Sequence, residues 1–197
     1  MKRLIVATRN KKKLLELRRY LKGVKVELVS LEYVNGAPGI VEDGRTFKDN
    51  ADKKALTISM FSNGLVLADD SGLAVDALKG KPGVKSSRFA GDDADDRKNN
   101  AKLLKKLKGI PSGRRKARFI CHVSIADNGR VINNIEEDCR GVISFDLRGR
   151  YGFGYDPLFI IPKYKKTFGE LGLKVKDKMS HRSKALKKAV TFLKRYL

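Results

Sequence analysis

Short apolar runs alternate with amphipathic segments along the first half of the chain. Runs of consecutive apolar residues predict buried strands, and leucines spaced three and four residues apart predict a helix opened by Asn10. Thr46 and Asp49 form a variant of the capping box that predicts the start of a second helix. The predicted strands are residues 4–7, 24–29 and 65–68, and the predicted helices lie between Asn10 and Gly23 and between Thr46 and Asn63.

The second half carries more strand signals. Alternating apolar positions at 117–125, followed by a turn at 127–129 and a return at 131–135, predict a hairpin. Further strands are predicted at 141–145 and 157–161. Because helices and strands alternate early and strands cluster late, the pattern predicts an α/β or α+β fold with a mixed sheet, in a single domain over residues 1–197.

Two helices are predicted in this half. One follows a cluster of acidic residues and ends in a cluster of basic residues. This distribution of charge complements the helix dipole. The other is capped by Ser180. The acidic residues are Asp92, Asp93, Asp95 and Asp96, and the inward positions of the last helix are Leu186, Ala189 or Val190, Leu193 and Leu197.

Charge is the most unusual feature of the composition. The 197 residues include 44 Lys+Arg and 22 Asp+Glu, a formal net charge of +22. This charge raises the possibility of nucleic-acid binding, but the aromatic residues sit mostly at apolar-period positions, which favours a solvated Lys-rich surface. No apolar run is long enough to span a membrane, no secretory signal is visible, and Cys121 and Cys139 lack disulfide-scaffold or zinc spacing. We therefore expect a cytoplasmic protein with no membrane association.

The turn between the first strand and the first helix is a candidate phosphate site. Backbone N–H groups and the helix dipole favour anions at such a turn. Thr8 and Asn10 add polar side chains and Lys11, Lys12 and Lys13 add positive charge. The glycine spacing of a P-loop is missing, so an ordinary helix start with solvated lysines is the alternative.

Paired carboxylates form a second candidate site. Asp69 and Asp70 directly follow the predicted strand 65–68, at a sheet edge where α/β proteins bind ligands. Hard oxygen ligands suit Mg²⁺, and Glu42 is a candidate second ligand. Strand alternation indicates that one of the two Asp side chains faces the site. The alternative is a turn in which Asp and Ser side chains bond their own backbone.

Two further segments suit a flat ligand. Glycines alternate with aromatic residues over 149–157, which permits close backbone approach and ring stacking; a glycine-rich loop whose aromatics fill the core is the alternative. His181 and Arg182 lie in the first turn of the last helix, where the dipole disfavours a charged imidazole. Two exposed polar residues on a capped helix are the alternative there, and His122 is predicted to be structural.

In order and spacing, these motifs resemble the noncanonical purine nucleoside triphosphate pyrophosphatases, the inosine/xanthosine triphosphate pyrophosphatase family. The match runs from about residue 4 to the last helix. The motif residues are 7–10 with Lys13 and Glu16; 42–44 with 46–47; 50–51 with 54–55; 68–73 with 75–78; 82–84 with Ser86 and Arg88; 152–157; and 180–182 with 184–185.

The resemblance implies an Mg²⁺-dependent hydrolase that cleaves between the α- and β-phosphates of ITP, dITP and XTP and releases pyrophosphate. It also implies an elongated α/β domain with a long mixed sheet flanked by helices, two lobes with a substrate cleft, and a homodimer. Nucleic acid would not be required.

The resemblance also implies roles for particular residues. Glu42 and Asp70 would hold Mg²⁺, and Asp70, with Asp69 as the alternative, would orient or deprotonate the attacking water. Lys54 is expected on the exposed side of its helix, within reach of the triphosphate. The phosphate contacts would be Thr8, Arg9, Asn10, Lys11, Lys12, Lys13, Lys54 and Ser71, and the base contacts Phe153, Gly154, Tyr155, Asp156, Lys176, His181 and Arg182.

Donors in that base pocket would favour a 6-oxo purine over adenine, because the 6-oxo group accepts a hydrogen bond where the adenine amino group donates one. A Maf-type nucleotide pyrophosphatase of other specificity is the alternative enzyme, and a basic nucleic-acid-binding protein is the alternative from a different class.

Overall fold

The computed structural model describes residues 2–92 and 95–197; Asp93, part of the predicted acidic cluster, lies outside the described residues. Seven strands in this part form one mixed sheet in the order β2-β1-β3-β4-β5-β6-β7. The strands are β1 Lys2–Val6, β2 Val26–Ser30, β3 Leu65–Val75, β4 Lys116–Asp127, β5 Arg130–Ile143, β6 Phe159–Ile161 and β7 Lys166–Thr167. The helices are α1 Lys11–Leu21, α2 Phe47–Ser62, α3 Asp96–Lys106, α4 Phe168–Met179 and α5 His181–Tyr196.

The fold divides into two compact units, and the three longest strands contribute residues to each. Unit 1 contains residues 2–70, Cys121–Glu137 and Lys184–Leu197, and unit 2 contains Ser71–Ile120 and Asp138–Ser183. The α/β class and the mixed sheet are confirmed; the single domain over 1–197 stays a prediction.

Unit 1 is built on parallel strands that are apolar on both faces. β1 pairs in parallel with β2 and with β3. Since successive side chains of a strand point to opposite faces, β3 supplies Leu65 and Leu67 to one core cluster and Val66 and Ala68 to another. The first cluster includes α1 and α5 side chains, and the second includes those of α2.

Unit 2 has one apolar cluster of its own. It joins the second part of β3 to α3, β6 and the loop before β6, with Phe119, Phe159 and Phe168 in mutual ring contact. β6 pairs antiparallel with both β5 and β7.

The predicted helix starts are confirmed by their caps. The Asn10 side chain accepts from the backbone N–H of Lys12 and Lys13. Thr46 and Asp49 form the reciprocal capping box. Ser180 accepts from the Ser183 N–H at the start of α5. None of the helices in the described ranges is long and apolar enough to cross a membrane.

Several predicted bounds were wrong. β3 does not stop at residue 68 but continues to Val75, so the Asp69-Asp70 pair lies within a strand and the turn interpretation is wrong. The strands predicted at 131–135 and 141–145 belong to one strand, β5. Leu197 is not inward: it follows α5 and is 43% exposed, because the helix ends at Tyr196.

Helix α4 was missed entirely. Its sequence contains Gly169 and Gly172, and Gly172 has a φ of 70°, so two helical pieces meet at a kink and the 3.6-residue pattern is interrupted. A capping box formed by Thr167 and Glu170 opens it and was the available signal.

Candidate active site

Two adjacent carboxylates in β3 of unit 1 point to different helices. Asp69 continues the face of Leu65 and Leu67, and its Oδ2 lies 2.9 Å from the Lys13 Nζ of α1. Asp70 lies on the other face, where its Oδ2 accepts a hydrogen bond of 3.0 Å from the Asn50 Nδ2 of α2. Both are almost fully buried, so strand alternation divides them between two faces rather than exposing one.

Lys54 joins the carboxylates on the α2 side. Its Nζ donates to Glu42 Oε1 and to the backbone carbonyl of Asp69, both at 2.7 Å, and lies 3.5 Å from Asp70 Oδ1. The expectation that Lys54 occupies the exposed side of its helix is wrong: the residue is 7% exposed. The reason is that α2 packs its Asn50–Lys54 edge, as well as its apolar residues, against the sheet.

The electrostatics of this acid–lysine cluster (Lys13, Glu42, Lys54, Asp69 and Asp70) follow from its burial. Removing Asp70 from water raises its pKa, and the nearby Glu42 charge adds to this, against the opposing effect of the two lysines. Burial acts to lower the pKa of Lys54, but the surrounding carboxylates outweigh it, so the pKa of Lys54 is raised and its ammonium stays charged.

The donor set of this cluster fits a hard divalent cation. Glu42 and Asp70 converge on one ammonium nitrogen, at 2.7 and 3.5 Å, which shows that both carboxylates can face a single positive centre. Within residues 2–92 and 95–197, no group of three or more His, Cys, Asp or Glu could hold a metal. Two carboxylates with water and substrate phosphates completing the shell is a usual arrangement for Mg²⁺.

The turn before α1 offers a less open anion site than the sequence indicated. Asn10 Oδ1 already accepts from the N–H groups of Lys12 and Lys13, at 3.0 and 3.2 Å, and Thr8 Oγ1 accepts from the Asn10 N–H. Two of the backbone N–H groups that were expected to bind phosphate therefore already donate to the Asn10 side chain. Arg9, Lys11 and Lys12 are exposed, and Lys13 alone turns inward to Asp69.

In unit 2, two cations lie over one aromatic ring. Lys176 Nζ is 4.4 Å and the Arg182 guanidinium carbon 5.3 Å from the Phe153 ring centroid. Asp156 Oδ2 accepts from Lys176 Nζ at 2.6 Å and from the Phe153 N–H at 2.9 Å. Asp156 thus fixes both the ring and the ammonium above it. A side chain at Gly152 would collide with the Asp156 carboxylate, so the glycine is required there.

His181 and Arg182 are buried rather than exposed, each at 4%, so the interpretation of two exposed polar residues is wrong. The His181 ring stacks on Phe119, with centroids 4.8 Å apart and planes within 12°. Phe119 was missed as a site residue because its alternating position in β4 marks it only as core.

Two further predicted site residues, Tyr155 and Ser71, differ in burial. Tyr155 belongs to the apolar cluster of unit 2, and its hydroxyl donates to the Ser86 carbonyl at 2.8 Å, so its ring fills the core as the alternative interpretation held. Ser71 lies half-buried in β3 directly after Asp70. Asn50 was given no role, although its position four residues before Lys54 places both on one helix face.

The sheet and the acid–lysine cluster define an α/β protein in which carboxylate and ammonium groups meet beside one strand. The chain belongs to the Ham1 family, whose model matches residues 4–192. The predicted resemblance is thereby confirmed.

Individual relatives align over nearly the whole chain. A dITP/XTP pyrophosphatase of Desulforamulus reducens is 54% identical over 98% of this chain and 96% of the relative. One from Rhodopirellula baltica is 50% identical over 93% and 89%. A HAM1 protein structure from Coxiella burnetii superposes with a TM-score of 0.91 at 34% identity, covering 99% of this chain and 100% of that one.

Proposed function

We propose that this protein hydrolyses dITP, XTP and related purine nucleoside triphosphates to the monophosphate and pyrophosphate. The observation that carries the proposal is the buried acid–lysine cluster in a chain 54% identical to a dITP/XTP pyrophosphatase. Such a cluster combines carboxylates that can bind a cation and activate water with ammonium groups that can neutralise phosphate charge.

Glu42 and Asp70 would hold Mg²⁺, which when bound supplies Lewis-acid stabilisation of charge on the phosphate oxygens. Lys13 and Lys54 would add positive charge toward the same phosphates, and Ser71 would contact them. Asp70 is the favoured acceptor of the proton from the attacking water, because its pKa is raised by burial and Asn50 holds its orientation. Asp69 is the weaker candidate, since Lys13 lies directly on its Oδ2.

The base would bind at Phe153 with the donors of Lys176, His181 and Arg182. Each donor satisfied by a 6-oxo group would favour it over a 6-amino group by about 1–3 kcal/mol, because an amino group leaves a buried donor unsatisfied. Gly154 would contribute van der Waals contact beside the ring, since its N–H and carbonyl are already hydrogen-bonded within the protein.

The proposal includes a cytoplasmic homodimer. Exposed apolar side chains on unit 1 support association: Tyr33 is 75%, Met60 66% and Phe61 48% exposed. Light scattering on the purified protein should give twice the mass of the chain, and a monomer at micromolar concentration would contradict the dimer.

Pyrophosphate release from a nucleotide panel tests the function. With Mg²⁺, the protein should cleave dITP, XTP and ITP well above ATP, and EDTA should abolish release. Release only from pyrimidine nucleotides would favour the Maf-type alternative. No release from any nucleotide, together with tight salt-dependent binding of DNA or RNA, would refute the enzyme and favour a nucleic-acid-binding protein.

A further inference from the structure

The backbone of Gly154 is held on both sides of its Cα by one helix of unit 2. Asp96 Oδ2 accepts from the Gly154 N–H at 2.8 Å, and Asn100 Nδ2 donates to the Gly154 carbonyl at 2.9 Å. Asp96 and Asn100 are four residues apart in α3 and therefore lie on one face of that helix. Together they hold the backbone N–H and the carbonyl of one residue, and so one group in each of the two peptide units that flank the Gly154 Cα.

Glycine adopts left- and right-handed backbone conformations with similar ease, so Gly154 by itself does not fix the direction of the chain. Its φ is 63°, in the left-handed region, and it connects Phe153, whose ring lies under two cations, to Tyr155, which is buried in the core. The Phe153 N–H is held by Asp156, and the Tyr155 hydroxyl by the Ser86 carbonyl. The backbone of Gly154 links these two anchors, so the orientation of its two peptide units sets the position of the Phe153 ring.

Asn100 also carries a cost that general packing does not explain. The residue is 4% exposed, and its Oδ1 has no hydrogen-bond partner among the described residues. A buried amide oxygen without a partner is unfavourable. An apolar side chain of similar size would fill the position without that cost, but it would release the Gly154 carbonyl.

The adjacent Asn99 provides a contrast within the same helix. It is equally buried at 4%, but it makes two hydrogen bonds to the backbone, from the Ala90 N–H and to the Ser87 carbonyl, at 2.8 and 2.9 Å, where the Asn100 side chain makes one. Its contacts hold the segment before α3 and leave Gly154 untouched. Asn99 therefore matches Asn100 in residue type and burial, and its side chain makes one more hydrogen bond to the backbone.

We propose that Asp96 and Asn100 are positioning residues for base binding. They act on the Phe153 ring through the backbone N–H and carbonyl of Gly154. This inference rests on the proposed function, since it assigns the ring to the purine. Neither side chain belongs to the acid–lysine cluster assigned to the phosphates, so we expect both to govern the affinity for the base and to leave the cleavage step unchanged.

Steady-state kinetics with XTP, dITP and ATP test the inference. Asn100→Leu and Asp96→Ala should each raise KM for XTP about tenfold, the size of one lost hydrogen bond, with kcat within about twofold. Asp96→Asn, which keeps a side-chain oxygen to accept from the Gly154 N–H, should restore KM to near the wild-type value. The inhibition constant of inorganic tripolyphosphate, which has no base, should be unchanged in all three.

Asn99→Leu is the control in the same helix: because it loses two hydrogen bonds to the backbone rather than one, it should lower thermal stability at least as much as Asn100→Leu while leaving KM for XTP unchanged. An equal rise in KM for Asn99→Leu, or a parallel weakening of tripolyphosphate, would show a general loss of structure and overturn the inference. An unchanged KM in both Asn100→Leu and Asp96→Ala would also overturn it. If the wild-type protein cleaves none of the nucleotides, the proposed function itself fails, and that result is distinct from either of these.

Discussion

Replacing Lys54 with methionine tests the electrostatic account of the acid–lysine cluster. The two side chains are similar in length, so Lys54→Met keeps most of the packing and removes the charge. The ammonium makes two charge-assisted hydrogen bonds of 2.7 Å and lies 3.5 Å from Asp70 Oδ1, with its side chain 9% exposed. Its loss removes the ammonium that Glu42 binds at 2.7 Å and that lies 3.5 Å from Asp70 Oδ1.

Breaking a buried ion pair by removing one partner costs about 3–5 kcal/mol, because the remaining charge is left uncompensated. We therefore expect the free energy of unfolding of Lys54→Met to fall by about 3–4 kcal/mol, and the thermal midpoint by about 10 °C for a chain of this size. Millimolar Mg²⁺ should recover part of the loss and should stabilise the variant more than the wild type, since the cation would neutralise the same carboxylates.

The adjacent Lys53 provides the control. Lys53 Nζ lies 2.7 Å from Asp43 Oδ1 in an exposed pair, and such pairs contribute little. Calorimetric melting of Lys53→Met should give a midpoint close to the wild type, with or without Mg²⁺. The reasoning is refuted if Lys54→Met melts no lower than Lys53→Met, or if Mg²⁺ stabilises both variants equally.

Three further predictions follow from the same contacts. Asp70→Asn should abolish pyrophosphate release, and a near-normal rate would refute the role of Asp70. The thermal midpoint should not fall, because burial raises the pKa of Asp70, so that the ionised carboxylate destabilises the folded state once the pH has risen through that value. His181→Ala should narrow the ratio of kcat/KM for ITP over ATP, and an unchanged ratio would remove His181 from base recognition. The hydroxyl of Thr46 and backbone N–H bonds lower the pKa of Asp49, so its stabilisation is present above pH 3.8 and is lost as pH falls through the lowered value; Asp49→Asn should therefore lose less stability than the wild type in acid melts.

Local sequence patterns predicted the features that depend on interactions between residues close together in the chain, namely helix caps and buried strands. The caps at Asn10, Thr46 and Ser180 were readable because each satisfies backbone groups within three residues of itself. The apolar core of β3 was readable because residues 65–68 are buried on both faces. Glu42 and Asp70, predicted to lie together, do converge in the structure on the ammonium of Lys54.

Other features depend on contacts between residues distant in the sequence. Lys54 was expected on an exposed face, but its ammonium is surrounded by carboxylates from a loop and a strand, 12 and 16 residues away. Tyr155 and Phe153 follow the same glycine–aromatic pattern, yet one ring fills the core while the other lies under two cations from α4 and α5. Spacing within a segment contains no information on which of two aromatic rings meets those helices.

The sequence by itself therefore determined most of the element types and the family, because these depend on short-range periodicity and on ordered motifs. The tertiary structure alone decided how the charges are paired: Asp69 with Lys13, Asp70 with Asn50, and Lys176 with Asp156. It also decided that Asp96 and Asn100 hold Gly154, 58 and 54 residues away along the chain. Burial makes these pairings energetically important, and burial is a property of the packed chain that no local segment specifies.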